Sequence, residues 1–523
     1  MKLTDITNPN FNATIWEEKG YTLPQFDIEA LRKRTKESPT WLHFGAGNIF
    51  RAFPANALQT AIESGKYDRG VIVAESFDFE IVDKALRPYD NHGLFVMLKS
   101  DGTVEKKVVS TITESLKADK QFDSDWARLI EIFQNPSLQM VSFTITEKGY
   151  GAPADDLLRQ FDAQSAMGKV TALLLKRFEA GGYPITLQSM DNCAHNGDVV
   201  KAAVFAYAKA WAAEKLVPAE FLTYLEEKVF YPWSMIDKIT PRPDDAVREM
   251  LISDGFLDSD TIVTSKNTYT APFINAEETE YLVIEDLYPQ GRPPLELGGV
   301  IFTERETVDK IEKMKVCTCL NPLHTTLAIF GCLLGFDRIS KQMQDDDLRN
   351  LVTKMGYVEA MPVVVDPGVI RPEEFIDTVL TKRFPNPFMP DTPQRIATDT
   401  SQKLGIRFGE TIKAYIKQGR NLDDLQLIPL TLAAYARYLT GIGDDGKPFT
   451  ISPDPRLEEL KAIVAPLKIT DQPQDFSCLR ALYSREDVFG LDLYEVGLGE
   501  RIEALAAELF SGVGAVRKTL QKF

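Results

Sequence analysis

Cysteine and histidine are scarce in this chain. Its 523 residues include five cysteines and four histidines. The cysteines, Cys193, Cys317, Cys319, Cys332 and Cys478, are odd in number and unevenly spaced. That pattern excludes a disulfide framework and fits reduced thiols. Excess positive charge is also missing, since the formal net charge is −17. Phosphate backbones and anionic bilayers would repel such a surface, so neither nucleic acid nor membrane is expected as a partner; a local basic pocket could still hold a small anion. The opening "MKLTDITNPNFNATIWEEKG" has no apolar signal-peptide core, which predicts a cytoplasmic protein. The most apolar stretch, "LAIFGCLLGF" at 327–336, is too short by itself to span a bilayer. No repeat or low-complexity segment is present, and no feature specifies an oligomeric state.

What is present is ordinary for a folded globular protein, with 44% hydrophobic and 26% charged residues. The length suggests two to four domains, or two if one is a large α/β unit. In the first half, "WLHFGAG" (41–47), "VIVAES" (71–76), "LFVML" (94–98), "QMVSFTIT" (139–146) and "PITLQSMD" (184–191) read as strands. Amphipathic segments such as "DSDWARLIEIFQ" (123–134) and "ALLLKRFEAGG" (172–182) lie between them. Strands alternating with helices predict an α/β, doubly wound, mostly parallel sheet. After about residue 305 the text becomes helical, as in "TTLAIFGCLLGF", "DDLRNLVTKMGYVEAM" and "LQLIPLTLAAYARYL". The Pro- and Gly-rich "LYPQGRPPLELGG" (287–299) marks the joint. The expected domains are 1–295, Rossmann-like, and 296–523, mainly helical and carrying catalytic residues.

In "WLHFGAGNIFRAF" an apolar strand runs into Gly45-x-Gly47 and a helix start at Asn48. Such a turn lets the backbone approach a pyrophosphate at a helix N-terminus. Phe50 stands where the third glycine of the usual dinucleotide fingerprint would be, with Arg51 next to it. A plain strand-to-helix turn would read the same way. The second strand ends about thirty residues later with Glu75 and Asp78. An acid there can bond the adenosine ribose hydroxyls and favours NAD over NADP, although the usual spacing is about 20 residues. A solvated loop is the other reading of both acids.

The segment "KVCTCLNPLH" (315–324) concentrates a lysine, two cysteines, an asparagine and a histidine. With Cys193 and His195 these residues are plausible zinc ligands by type, but Cys-x-Cys is not the usual zinc spacing, and small buried cysteines filling gaps would look the same. Asn321-Pro322 also fits a helix start, with Asn321 as the cap.

Taken together, "HFGAGNIFRAF", "SFTITEKGY" (142–150), "SMDNCAHNG" (189–197), "YPWSMIDKITP" (231–241), "EKMKVCTCLNPLH" (312–324) and "RFPNPFMPDTPQRIATDTSQK" (383–403) resemble blocks of the polyol-specific long-chain dehydrogenases. The resemblance runs from about residue 40 to 410. It implies a nucleotide-binding domain, a helical domain, an active site between them, and metal-free hydride transfer between NAD(P) and a polyol or sugar acid. By resemblance, Lys315 is the catalytic lysine, Asn192 and Asn321 hold the reacting oxygen, and His324 contacts substrate. Asp237 is an acid near that site, and Glu147 and Glu312 lie on a proton path to the lysine.

The chemistry is coherent. Oxidising a secondary alcohol needs a hydride acceptor, a base and donors to the developing oxyanion. A cofactor supplies the first, a lysine desolvated beside the cationic nicotinamide can serve as the second, and two amides supply the third. One feature departs from the family. Five residues separate Lys315 from Asn321, where the family has four. At about 100° per residue, Lys315 and His324 on a straight helix would be offset by roughly 180° instead of roughly 80°. The sequence therefore predicts a π-turn, bulge or break between Val316 and Pro322.

The substrate expected is a small linear sugar acid or polyol, with fructuronate and mannonate favoured. Tagaturonate reductase and mannitol 2-dehydrogenase are alternatives, and a non-catalytic dinucleotide-binding sensor is an alternative of another class. Arg383, Arg395 and Lys403 are candidates to meet a substrate carboxylate, though each could equally form structural salt bridges.

Overall fold

The computed structural model describes all 523 residues, which divide into two compact units, Met1–Asp309 and Lys310–Phe523. The first is built on a six-stranded parallel sheet of β1 (Trp41–Phe44), β2 (Val71–Glu75), β3 (Ile112–Lys117), β4 (Met140–Phe143), β5 (Ile185–Ser189) and β6 (Val229–Phe230). The spatial order is β3-β2-β1-β4-β5-β6 with every pairing parallel. This is the doubly wound dinucleotide-binding order, and it reverses direction between β1 and β4. The four strands β1, β2, β4 and β5 are buried at every position. Helices on both faces explain why their sequences are continuous apolar runs rather than alternations.

The strand expected at 94–98 exists but lies outside this sheet. Gly93–Leu98 pairs antiparallel with Val104–Val109, and both belong to a separate four-stranded sheet with Tyr21–Thr22 and Phe273–Glu277. The short polar turn around Gly102, at φ +84°, makes a hairpin there and rules out a crossover. The third sheet strand is instead β3, "ITESLK", whose mixed apolar and polar text hid it.

The compact units meet after residue 309. The Pro- and Gly-rich stretch is folded into the first unit. Gly298 lies so close to the helix Pro54–Glu63 that an added Cβ would come within 2.4 Å of the Ala57 backbone. The chain then forms the strand Ile301–Thr303, parallel to Tyr281–Glu285.

The second unit is helical, as expected. Its core helices Asn321–Leu334 and Leu427–Tyr438 pack on each other, and every residue of the latter is buried. Buried Glu359 caps that helix, accepting from the N–H groups of Gln426 (2.8 Å), Leu427 (2.6 Å) and Ile428 (2.9 Å). A carboxylate there meets the unpaired donors of the first turn. The stretch "LAIFGCLLGF" belongs to one 30-residue helical run, Arg305–Leu334. That run is long and apolar enough to cross a bilayer, but 78% of its most apolar window is buried within the protein.

At the N-terminal edge of the parallel sheet, fully buried Arg177 spends all five N–H donors on backbone carbonyls. Nε bonds Tyr183, Nη1 bonds Phe133 and Asn135, and Nη2 bonds Leu138 and Pro184, all within 2.7–2.9 Å. It thereby joins the end of the helix Asp123–Gln134 to the approaches of β4 and β5. Replacing Arg177 by Met strands these acceptors, so the expected loss is about 3 kcal/mol or more. Thermal or urea unfolding of R177M should show a clearly lowered midpoint, and an unchanged midpoint would contradict this role.

Candidate active site

The glycine turn lies where the sheet order reverses. Gly45 has φ +97°, and a Cβ on it would sit 2.2 Å from the carbonyl oxygen of Thr144, just past β4. Only glycine fits there. Gly47 caps the helix Asn48–Ala52, and a Cβ on it would meet nothing within 4 Å. The first glycine thus closes the turn on the neighbouring strand, and the second keeps the helix N-terminus approachable.

His43 on β1 fixes this turn. Its ring stacks on Phe50 with centroids 3.6 Å apart. Nε2 lies 3.0 Å from the Gly45 carbonyl, which can only accept, so Nε2 carries the proton. Nδ1 then accepts from Ser142 Oγ at 2.7 Å, and Ser142 in turn accepts from Trp41 Nε1 at 2.7 Å. Burial pushes the His43 pKa down to about 3, which keeps this tautomer neutral. Phe50 is therefore a core residue that supports the turn.

Glu75 ends β2 as expected, but its carboxylate is folded into its own loop. Oε1 accepts from the N–H groups of Ser76 (3.0 Å), Phe77 (3.0 Å) and Asp78 (3.3 Å), and Oε2 from Ala46 in the glycine turn (3.3 Å). Burial raises its pKa against those bonds. Asp78 and Arg51 are both buried and bonded to a distant hairpin. Asp78 accepts from Thr264 Oγ1 at 2.5 Å. Arg51 donates to the Ala271 carbonyl (2.9 Å), Thr270 Oγ1 (3.0 Å) and Asn48 Oδ1 (3.0 Å). Both hold one hairpin, Ile262–Thr270. The sequence could not foresee this, because their partners lie about 190 to 220 residues away.

A residue not singled out from sequence organises the loops after β4 and β5. Asp191 accepts from the N–H groups of Ile145 (2.8 Å) and Thr146 (3.2 Å) and from Tyr150 Oη (2.6 Å). Burial raises its pKa. It holds Thr146 at φ +62°, a costly conformation for a β-branched residue. Buried Asn196 ties the same loop to Ser234, with bonds of 2.9 Å in both directions. Asn192 projects between these two anchors and is exposed. Its signal was the acid beside it in "MDN". Glu147 opens the short turn Glu147–Tyr150 and is exposed, whereas Asp237 is buried on Ser234–Asp237. His195, stacked on Trp233, pairs with Asp309 at 3.2 Å.

In the second unit Lys315 is buried, with 4% of its surface exposed. The helix does break its register there. Lys315–Cys319 is a π-turn, closed by Leu320 N–H on the Lys315 carbonyl at 3.2 Å, and Asn321–Leu334 resumes as α-helix. One residue is absorbed, which returns Lys315 and His324 to an offset of roughly 80°. In the wide register the Cys317 carbonyl would pair with Pro322, which has no N–H. Thr411 Oγ1 donates to it instead, at 3.1 Å. Leu320, not Asn321, is the cap, and no side-chain cap bond is made, so the Asn321 carboxamide is not spent on the helix end. Glu312 lies one turn before Lys315 and is half-buried.

His324 packs on Phe384, with centroids 5.1 Å apart, and Nε2 lies 3.5 Å from Asp391, which is paired with Arg395. Beside it, Arg407 donates to the Thr325 hydroxyl. Burial and the neighbouring Arg407 lower the pKa of Lys403, and burial brings Arg407 down to about 10. Arg395, Lys403 and Arg407 thus form a cationic group next to His324. Arg383 is buried on its own π-turn, Val379–Arg383. The zinc alternative finds no support in geometry, because no three His, Cys, Asp or Glu side chains gather as a metal group. All five cysteines are unpaired by disulfides, and burial pushes the Cys319 thiol up to about 12.

Residues 39–297 match the mannitol dehydrogenase Rossmann domain and residues 307–504 match the mannitol dehydrogenase C-terminal domain. The chain belongs to the mannitol dehydrogenase family. Among its relatives, D-mannonate oxidoreductase of Thermotoga maritima is 49% identical over 522 residues, covering 97% of this chain and 96% of the relative. Polyol:NADP oxidoreductase of Gluconobacter oxydans is 28% identical, covering 81% and 83%. Among solved structures, D-sorbitol dehydrogenase in substrate-free form aligns with a TM-score of 0.79 at 25% identity, covering 95% of this chain and 97% of the other. Mannitol 2-dehydrogenase of Pseudomonas fluorescens, in ternary complex with NAD and D-mannitol, gives 0.70 at 25% identity, covering 98% and 99%.

If the π-turn serves register, deleting Cys317 should close it into regular α-helix with the usual family spacing. The deletion variant should keep turnover within about 10-fold of the parent, while inserting an alanine after Cys317 should abolish it, since a misplacement of about 1 Å can cost about 10²-fold. Loss of activity in both variants alike would contradict the register account.

Proposed function

We propose that the protein is an NAD-dependent oxidoreductase that interconverts a sugar-acid alcohol and its ketone, most closely D-mannonate and fructuronate. The reading is carried by the 49% identity, over nearly the whole of both chains, to D-mannonate oxidoreductase. The glycine turn fits a dinucleotide, since Gly47 leaves the helix N-terminus open to a pyrophosphate and Glu75 stands at the end of β2. The turn at Gly45 and Gly47 and the helix start at Asn48 would hold it, with Glu75 fixing that turn through the Ala46 N–H. When bound, NAD supplies the hydride acceptor, and NADH the donor.

In the oxidising direction Lys315 takes the hydroxyl proton, and its buried setting keeps bulk water from competing. Asn192 and Asn321 donate amide N–H groups to the developing oxyanion. His324, oriented by Asp391 and Phe384, bonds a neighbouring hydroxyl and fixes the substrate's rotation. Glu312, half-buried one turn before the lysine on the same helical run, relays the proton onward. The cationic group of Arg395, Lys403 and Arg407 favours an acid over a neutral hexitol.

NADH oxidation by purified protein should be fastest with fructuronate, with tagaturonate and fructose at least about 10-fold lower in kcat/KM. A preference for fructose would overturn the sugar-acid assignment. NADH binding without turnover on any of the three would point to a sensor.

A further inference from the structure

The loop after β2 carries an exposed aromatic ring that the reaction does not use. Phe77 is 65% exposed, although it lies inside a turn locked by three backbone bonds to Glu75 Oε1. The turn consumes the Glu75 carboxylate inward and leaves the Phe77 ring outward. Lys266 covers that ring with Nζ 4.0 Å from its centroid and donates to the Phe77 carbonyl at 2.6 Å.

The hairpin that brings Lys266 there is fastened at both sides. Asp78 holds Thr264, and Glu80 accepts from the Ser265 N–H at 3.3 Å. On the other side Arg51, on the helix after the glycine turn, holds Thr270 and Ala271. Ile262–Thr270 therefore straps the end of β2 to the start of the pyrophosphate-binding helix. In this sheet order the adenosine half of a dinucleotide lies at the end of β2.

We propose that Phe77 and Lys266 form the adenine subsite. The adenine ring stacks on the face of Phe77 opposite Lys266, whose cation lies over the other face of the phenyl ring. This rests on the dinucleotide reading above. It assigns the two predicted cofactor residues Asp78 and Arg51 a positioning role, holding the hairpin instead of touching ligand.

The test uses the full-length protein, and Phe77 is exposed enough to be changed without loss of core. Calorimetric binding of NADH, ADP-ribose and AMP should weaken about 10- to 100-fold in F77A, in line with base–aromatic stacking. F77W should restore it, and K266A should lose about 3-fold or more. Turnover with reduced nicotinamide mononucleotide, which lacks adenosine, should be unchanged in F77A, as should kcat at saturating NADH. Equal ADP-ribose affinity in wild type and F77A would overturn the subsite while leaving the dinucleotide reading intact. Failure of the wild type to bind NADH would overturn the dinucleotide reading itself, and the subsite with it.

Discussion

A single hydrogen bond of the wrong length for an α-helix sets the geometry of the second unit. Leu320 N–H reaches the carbonyl of Lys315, five residues back, at 3.2 Å. That bond widens one turn and absorbs one of the five residues between Lys315 and Asn321. It also puts Lys315 and His324 on nearby faces of one helical run. The widened turn is supported from outside, because Thr411 satisfies the Cys317 carbonyl that Pro322 cannot. Two further π-turns, Met355–Ala360 and Gly405–Gly409, pack against it. Such turns are uncommon and cluster at functional sites, and here Lys315, Arg383 and Arg407 all sit on one.

The first unit uses buried carboxylates for a comparable purpose. Glu75 and Asp191 follow β2 and β5 at the carboxyl edge of the sheet, and each collects backbone N–H groups. Burial alone would penalise these acids, and the collected donors offset that penalty. The result is two rigid loops, one presenting Phe77 and the other Asn192. His43 adds a third fixed point through a neutral ring whose proton is assigned by the Gly45 carbonyl. Binding residues held this way lose little freedom when a ligand arrives, which favours both affinity and rate.

Much of this was legible in the sequence where local pattern and global role coincide. The apolar runs at 41–44, 71–75, 140–143 and 185–189 became the central strands, since only strands covered on both faces tolerate such text. The offset between Lys315 and His324 requires an irregular turn, because helical phase is fixed by residue count. What stayed hidden depended on distant partners. Arg51 and Asp78 look like cofactor residues by position, yet both close on a hairpin about 200 residues away. Asp191 escaped notice because its neighbour Asn192 carried the family resemblance.

The central claim is that one buried amine carries the proton in a dinucleotide-dependent reaction. Replacing Lys315 by alanine tests it directly, with kcat for fructuronate and NADH measured beside the NADH dissociation constant. The account predicts a fall in kcat of about 10³-fold with NADH affinity unchanged, as expected for removing a general acid–base. Turnover within a few-fold of the parent would contradict it.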